Sequence, residues 1–351
     1  MSTPHQPTPA EQTPGLTTLV SILKANPQPK LLILTGAGLS TSCGLPDFRT
    51  PTSGLYAKLS PLQLPYPEAL FHISYFSHTP EPFYAIAHAR HPRNLAPSLG
   101  HAFLALLEQK GLLEIVVTQN IDGLEADAGV SPEKILNVHG SWKTQRCMKC
   151  KTPFGDAAMR RAIRGGEVPI CEDRAGCKGI IKPDIVMFGE SLPAGFGDVE
   201  KRVLPRVDLV LVMGTSLKVA PVSELPRKVG GDTPRVLINR ECVEDFGARE
   251  SDVVLLGGCD EVVRQIARGM GWEEELEVLH REAVDRKQRA VKEEEEGWDS
   301  DDGDAPSLDE CIARAAERMK VRMGVSEGHR RMLEEHLGEK MAGMLQRRNR
   351  E

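Results

Sequence analysis

The sequence predicts an α/β fold: a doubly wound parallel sheet with a smaller, cysteine-bearing lobe and a helical C-terminal extension. Three observations predict it. Short apolar runs recur at residues 31–34, 115–117, 208–212, 235–238 and 252–256. Helical patterns separate most of them, and strands alternating with helices imply a parallel sheet covered on both faces. Polar or glycine-rich motifs follow several runs directly, as expected where such sheets gather a ligand at the carboxyl ends of their strands. With 351 residues, 40% of them hydrophobic, the chain can bury a sizeable core.

The elements follow in order. Residues 1–14 hold four prolines among polar residues and are expected to be disordered. Residues 16–25 read as a helix leading into the strand at 31–34, whose unbroken apolar run suits a strand buried on both faces. The stretch 50–95 is polar and aromatic, with prolines throughout and room for short helical pieces. Residues 98–110 form an amphipathic helix, with Ser98 as its N-cap and Gly111 at its end. The main folded unit is expected to span 15–272, with a cysteine-bearing module at about 143–182 inserted in it. Residues 273–351 form a charged helical tail. Within it, 273–296 reads as a solvated helix, 297–306 as a flexible acidic linker, and 307–323 as a helix opened by a Ser307/Glu310 capping box. A further amphipathic helix is expected over 327–346. The tail is read as a solvated appendage or as a helix docking on the core or on another subunit.

The segment after the first strand, GAGLSTSCGLPDFR at 36–49, carries the strongest functional signal. A strand, a glycine turn and a helix start make a cradle for phosphate, and early glycines let the backbone approach a pyrophosphate. The dinucleotide fingerprint needs a third glycine at position 41, where Thr41 stands, and no P-loop Gly-Lys-Ser/Thr is present. Glycine spacing alone therefore leaves a plain turn and a cofactor site both open. The continuation Pro46-Asp47-Phe48-Arg49 adds a carboxylate, an aromatic face and a guanidinium, which favours the cofactor site. Gln119-Asn120-Ile121-Asp122, Gly214-Thr215-Ser216, Asn239-Arg240-Glu241 and Gly257-Gly258-Cys259 follow other strands. Together they would line one edge of the sheet, which favours a single large cofactor.

Cys147 and Cys150, then Cys171 and Cys177, form two knuckles 20 residues apart. Four thiolates satisfy tetrahedral zinc and close its coordination sphere, so one structural zinc is expected. Two disulfides are the alternative, disfavoured in a reducing compartment; a DNA-binding zinc ribbon is another, given Arg160, Arg161 and Arg164 between the pairs. Cys43, Cys242, Cys259 and Cys311 lack ligand spacing. His139, before the cysteine module, stands at an expected junction between lobes, where imidazole suits a general base.

Net charge of −6 gives no electrostatic reason to expect nucleic-acid binding, and no apolar run is long enough to span a membrane. The N-terminus lacks the apolar core of a secretory signal. A cytoplasmic location with access to the nucleus is expected.

In order and spacing, these motifs together with KPDIVMFGE (182–190) and GTSLKVAPV (214–222) resemble the sirtuin family over about residues 15–270. GLYAKL and LPYPEALF resemble its class I members, closest to the cytosolic branch. Sirtuins are NAD-dependent protein-lysine deacylases on a Rossmann-like sheet. The resemblance implies that Ala37, Gly38, Leu39, Ser40 and Thr41 hold the pyrophosphate region, with Asp47, Phe48 and Arg49 on a flexible cofactor loop. It implies that Gln119 and Asn120 contact the nicotinamide ribose, and that Ile121 and Asp122 hold the carboxamide. Gly214, Thr215, Ser216, Asn239, Arg240, Glu241 and Cys259 would surround the adenosine half. His139 and Asn120 would be the catalytic residues, with His139 the base that takes a proton from a ribose hydroxyl after the acetyl-lysine oxygen displaces nicotinamide.

The products implied are free lysine, nicotinamide and O-acetyl-ADP-ribose. Acetylated proteins, histone tails among them, would pair as a strand beside Val186, Phe188, Gly189 and Glu190, opposite 218–220. Tyr84-Ala85-Ile86-Ala87 lacks the arginine that acidic-acyl members place there, so a neutral acyl group is expected. A dehydrogenase, a zinc-dependent scaffold, a mono-ADP-ribosyltransferase and a long-chain deacylase are the alternatives.

Overall fold

The computed structural model describes residues 9–26, 28–45, 59–90, 95–173, 176–296 and 308–323. A helix, α1 (Pro9–Ala25), leads into β1 (Leu31–Thr35). Three helices follow, α2 (Ile73–His78), α3 (Glu81–Arg90) and α4 (Leu99–Gln109), and then β2 (Leu113–Thr118), a short α5 (Leu124–Asp127) and β3 (Ile135–Asn137). The small lobe contributes β4 (Gly140–Cys147), α6 (Asp156–Gly165) and β5 (Ile181–Ile185). After α7 (Gly195–Asp198) the chain forms β6 (Leu209–Met213), β7 (Arg235–Asn239) and β8 (Asp252–Leu256). The described residues end in α8 (Cys259–Met270), α9 (Glu273–Glu296) and α10 (Leu308–Met323).

The main sheet has six strands in the order β3-β2-β1-β6-β7-β8, and every pairing is parallel. The predicted fold class is the observed one. Alternate residues of β1 feed opposite cores: Leu31 and Ile33 join the layer holding α1, α4 and α8, while Leu32 and Leu34 join the layer on the other face. That two-sided burial is why β1 reads as an unbroken apolar run. The strand order reverses between β1 and β6, whose ends Thr35 and Met213 lie in register. A doubly wound sheet opens its ligand crevice at this point.

The small lobe packs an antiparallel β4–β5 pair and α6 around a second core containing Met159, Ile163, Ile181 and Ile185. Ser98 caps α4 as predicted, its Oγ accepting from His101 N, and the His101 side chain completes the capping box. Gly111 takes the left-handed conformation after α4.

Two expectations are corrected, and one left open is decided. The first helix starts at Pro9 and not at residue 16, so residues 9–14 belong to it, while residues 1–8 fall outside the described residues. Gly15 lies flat on β8, where a Cβ would sit 3.2 Å from Leu255. Next, α9 is not merely solvated: Leu276 and Ala283 are fully buried, and Lys110–Glu275 (2.6 Å) and Lys287–Asp127 (2.7 Å) pair it to the Rossmann-like body. Of the two readings of the tail, α10 excludes the solvated one and takes the docked one, burying Cys311, Ile312, Ala315 and Met319 in the small-lobe core against α3. The contact of this C-terminal helix is intramolecular. Residues 297–306 and the helix expected over 327–346 lie outside the described residues.

Candidate active site

A cleft of about 580 Å³ opens along the carboxyl ends of β1, β2, β6 and β7 and continues beneath the small lobe. Its volume is typical of a small-molecule site, roughly 300–1,000 Å³. The turn after β1 forms two short 3₁₀ segments, Ala37–Leu39 and Thr41–Cys43. No α-helix starts there among the described residues, which corrects the strand–turn–helix expectation. The helix N-terminus that does face the cleft belongs to α8, whose cap Gly258 and first residue Cys259 line it.

The early glycines line the cleft and also have a structural task. A Cβ on Gly36 would lie 2.6 Å from Thr215 Cβ, and one on Gly38 would lie 2.7 Å from Gly214 Cα. They let the β1 and β6 turns interlock, with Gly38 N donating to Gly214 O (2.7 Å) and Gly36 N to Met213 O (3.1 Å). Gly214 itself has a φ of +60°, and a Cβ there would meet Leu39 N at 2.4 Å. Leu39 does not line the cleft: its side chain is fully buried beneath the turn, beside Gly100, where the tight 3₁₀ geometry aims it inward. Ala37, Gly38, Ser40 and Thr41 do line it.

The turn after β2 is clamped to this floor. Asn120 Nδ2 donates to Gly36 O (3.1 Å) and to Ser40 Oγ (3.2 Å), and Ser40 Oγ donates to Asp122 Oδ2 (2.8 Å). Gln119 Nε2 donates to Thr215 Oγ1 (3.0 Å), tying the β2 and β6 turns. Ile121 and Asp122 also line the cleft. Sequence reasoning missed the histidine below. His101 is fully buried; its Nδ1 accepts from Ser98 N (3.1 Å), so Nε2 carries the proton toward Ser40 Oγ (3.4 Å). Its place three residues after an N-cap serine was the available signal.

His139 sits where β3 hands over to β4. Its Nδ1 donates to Gln119 O (2.9 Å), and its own carbonyl accepts from Val186 N (2.7 Å). Burial holds its pKa below the ordinary histidine value, with the bond to Gln119 opposing this. The ring is therefore neutral at physiological pH, and fixing the proton on Nδ1 leaves Nε2 as an acceptor. Next to it the cleft turns apolar, walled by Phe71, Phe83, Ile86, Ala87, Trp142 and Ile185. The Tyr84 hydroxyl faces away from this wall and donates to Ile181 O (2.5 Å).

On the cleft's outer lip, Phe188 is 42% exposed. Its main chain is already engaged: Phe188 N donates to Phe71 O (2.8 Å) and Ile73 N donates to Phe188 O (3.0 Å). Glu190 accepts from Met187 N (2.9 Å) and pairs with Lys182 (3.0 Å), so its carboxylate folds the turn that presents Val186 and Gly189 to the cleft. At the far end, Ser216, Asn239, Arg240, Glu241 and Cys259 line the cleft. The Cys259 thiol is pushed up to about 12 by burial and is unreactive there. Asp47, Phe48 and Arg49 lie outside the described residues.

The four predicted metal ligands converge. The sulfurs of Cys147, Cys150, Cys171 and Cys177 lie within 4.8 Å of one another, at 3.7 Å for Cys147–Cys177 and 3.6 Å for Cys150–Cys171. Zinc bonded to four sulfurs at about 2.3 Å requires tetrahedral sulfurs about 3.8 Å apart, so the donor set fits zinc and no disulfide joins these pairs. A Cβ on Gly179 would lie 2.5 Å from Cys147 Sγ, so only glycine leaves the knuckle room. Four sulfurs leave no open coordination position, and such a zinc is structural.

Comparison with known proteins gives consistent kinship. Residues 36–221 match the model of the Sir2 family. The chain is 60% identical over 345 residues to the NAD-dependent protein deacetylase hst2-2 of Emericella nidulans, covering 97% of this chain and 96% of that one. It is 42% identical to the NAD-dependent protein deacetylase hst2 of Schizosaccharomyces pombe, over 74% of this chain and 78% of the other. Identity to the NAD-dependent protein deacetylase sirtuin-3 of Mus musculus is 39%, over 76% and 80%.

Proposed function

The chain belongs to the Sir2 family, and from that premise we propose how it works as an NAD-dependent protein-lysine deacetylase. NAD supplies a ribose carbon bearing a good leaving group; the residues of this chain supply orientation, a dry pocket and a base. The clamped Ser40, Asn120 and Asp122 hold the nicotinamide end, and the turns after β6, β7 and β8 hold the adenosine end. The acyl-lysine enters over the lip at Val186 and Phe188, pairing by its backbone with main-chain groups of the lip other than those Phe188 already gives to Phe71 and Ile73, and such pairing tolerates many target sequences. Its acyl group lies against the apolar wall, and with Tyr84 turned to Ile181 a neutral acyl group is favoured, acetyl first. Holding the amide oxygen against the ribose carbon supplies the main share of the rate.

The observation that carries this reading is the tautomer of His139: Nδ1–H is spent on Gln119 O, so Nε2 is the base facing the cleft where polar floor meets apolar wall. There it takes the proton of a ribose hydroxyl, and Asn120 orients the same ribose. Zinc at the four cysteines stiffens the small lobe and touches no reacting atom. Histone tails are proposed among the substrates, since extended acetylated segments suit backbone capture. None of the eight cysteines is in a disulfide, which supports a reducing cytoplasm with access to the nucleus as the site of action. Purified protein incubated with NAD and an acetylated peptide should release nicotinamide and deacetylated peptide, and His139→Ala should lose at least about a hundredfold in kcat. Unchanged turnover in the variant would remove His139 from its role.

A further inference from the structure

One acidic residue in the site's frame has no place in the reaction as described. Glu125 is the second residue of α5, three residues after Asp122, and is fully buried. An isolated buried carboxyl is costly, so its partners explain its presence. Thr35 Oγ1, at the end of β1, donates to Glu125 Oε1 (3.2 Å). The fully buried Thr118 hydroxyl, at the end of β2, bears on the same carboxyl, while Thr118 Oγ1 accepts from Asn120 N (3.0 Å). One residue before Glu125, Leu124 N donates to Asp122 Oδ1 (3.1 Å). Oε2 has no protein partner, and Glu125 lines a small cavity of about 50 Å³ with Asn137 and Lys143. At roughly 10–15 Å³ each, more than one water fits there.

We propose that Glu125 is a positioning residue for the nicotinamide end of the cleft, pinning α5 to the ends of β1 and β2 and so fixing Asn120 and Asp122. The inference rests on the functional reading above and names a residue that the reading does not use. Anchored through Thr35, α5 delivers the Leu124 amide to Asp122, whose other oxygen is held by Ser40, while the adjoining Thr118 hydroxyl holds the Asn120 amide. Its burial and the charge of Asp122 push the Glu125 carboxyl up to about 7. The charged groups facing it are Asp122 on the adjoining turn and Lys143 across the cavity, while β1 and β2 present neutral threonines and α4 brings the buried His101 toward Ser40 and Asp122, its pKa held down by burial. Below about pH 7 the carboxyl carries a proton; above it a second negative charge joins Asp122 and favours the cationic nicotinamide ring of NAD.

Glu125→Leu and Glu125→Gln, assayed with NAD, an acetylated peptide and added nicotinamide, test this. In Glu125→Leu, KM for NAD and the nicotinamide concentration for half-inhibition should both rise about tenfold or more, with peptide KM within about twofold of wild type. Glu125→Gln, which keeps an acceptor for Thr35, should restore most activity at pH 6.5 but lose the fall in NAD KM that wild type shows as pH rises through about 7. If Glu125→Leu does not fold, the Glu125→Gln pH profile decides alone. Unchanged NAD and nicotinamide constants, a parallel loss in both substrates, or a wild-type-like pH profile in Glu125→Gln would overturn the role. Wild-type protein that releases no nicotinamide would overturn the functional reading beneath it.

Discussion

Replacing Gly38 with alanine should damage NAD binding far more than peptide binding. The new Cβ would lie 2.7 Å from Gly214 Cα, 2.8 Å from Gly214 O and 2.9 Å from Gly214 C. Carbon atoms need about 3.5–4.0 Å, so the turns after β1 and β6 must part by close to an ångström. Both sides are backbone, and Gly214 is held from behind by its own N–H donating to Ile238 O (3.0 Å). The displacement strains the Gly38–Gly214 hydrogen bond and carries Thr215 away from Gln119. Overpacking costs about 1–3 kcal/mol and the weakened bond about 0.5–1.5 kcal/mol. At about 2–4 °C per kcal/mol, Tm should fall by roughly 3–18 °C. A misplacement of this size in a positioned site costs about a hundredfold in kcat/KM for NAD. Thermal melts and steady-state kinetics with each substrate varied in turn read both effects. Gly155→Ala is the control, because its Cβ would meet nothing within 4 Å and its φ of −66° is ordinary. A Gly38→Ala protein with wild-type Tm and NAD KM would refute the interlocking of these turns.

Three further outcomes are expected. The depressed pKa of His139 keeps the base neutral as pH falls, so kcat at saturating NAD and peptide should hold from neutrality down to about 6.5 and decline only below it; an acid limb centred above pH 7 in that kcat profile would contradict this. Elemental analysis should find one zinc per chain, and strong chelation should lower Tm and abolish activity through collapse of the small lobe, with both restored by zinc; metal-free protein of full stability would contradict it. Met319→Lys places a charge in the buried stripe of α10 and should release that helix, so that the buried Cys311 thiol reacts with a thiol reagent faster than in wild type; equal labelling rates would show that α10 does not depend on that face.

The sheet was legible because its signals are local. Leu31 to Leu34 are apolar without a break because neighbours feed opposite layers, and Ser98 announces the helix it caps. The four cysteines were legible because metal chemistry dictates their number and spacing. What stayed hidden depends on partners distant in sequence. Gly36 and Gly38 read as a phosphate cradle, and nothing local announces that Thr215 and Gly214 also occupy the space their side chains would fill. Leu39 belongs to a glycine motif yet points into the core, because a 3₁₀ turn rotates it there. Glu125 is an unremarked acid in the sequence, and its partner Thr35 is 90 residues away. For α9, sparse apolar positions suggested solvation, but Leu276 and Ala283 were enough to seat it against α4.

The central claim is that the acyl-lysine oxygen, and not water, meets the ribose carbon of NAD in a pocket served by His139. An acetylated peptide labelled with heavy oxygen at the amide carbonyl tests this most directly, with the label followed by mass spectrometry after a single turnover. The account predicts the label on the ADP-ribose product, with one nicotinamide released per lysine freed. Label appearing in free acetate, or deacetylation that proceeds without NAD, would contradict it.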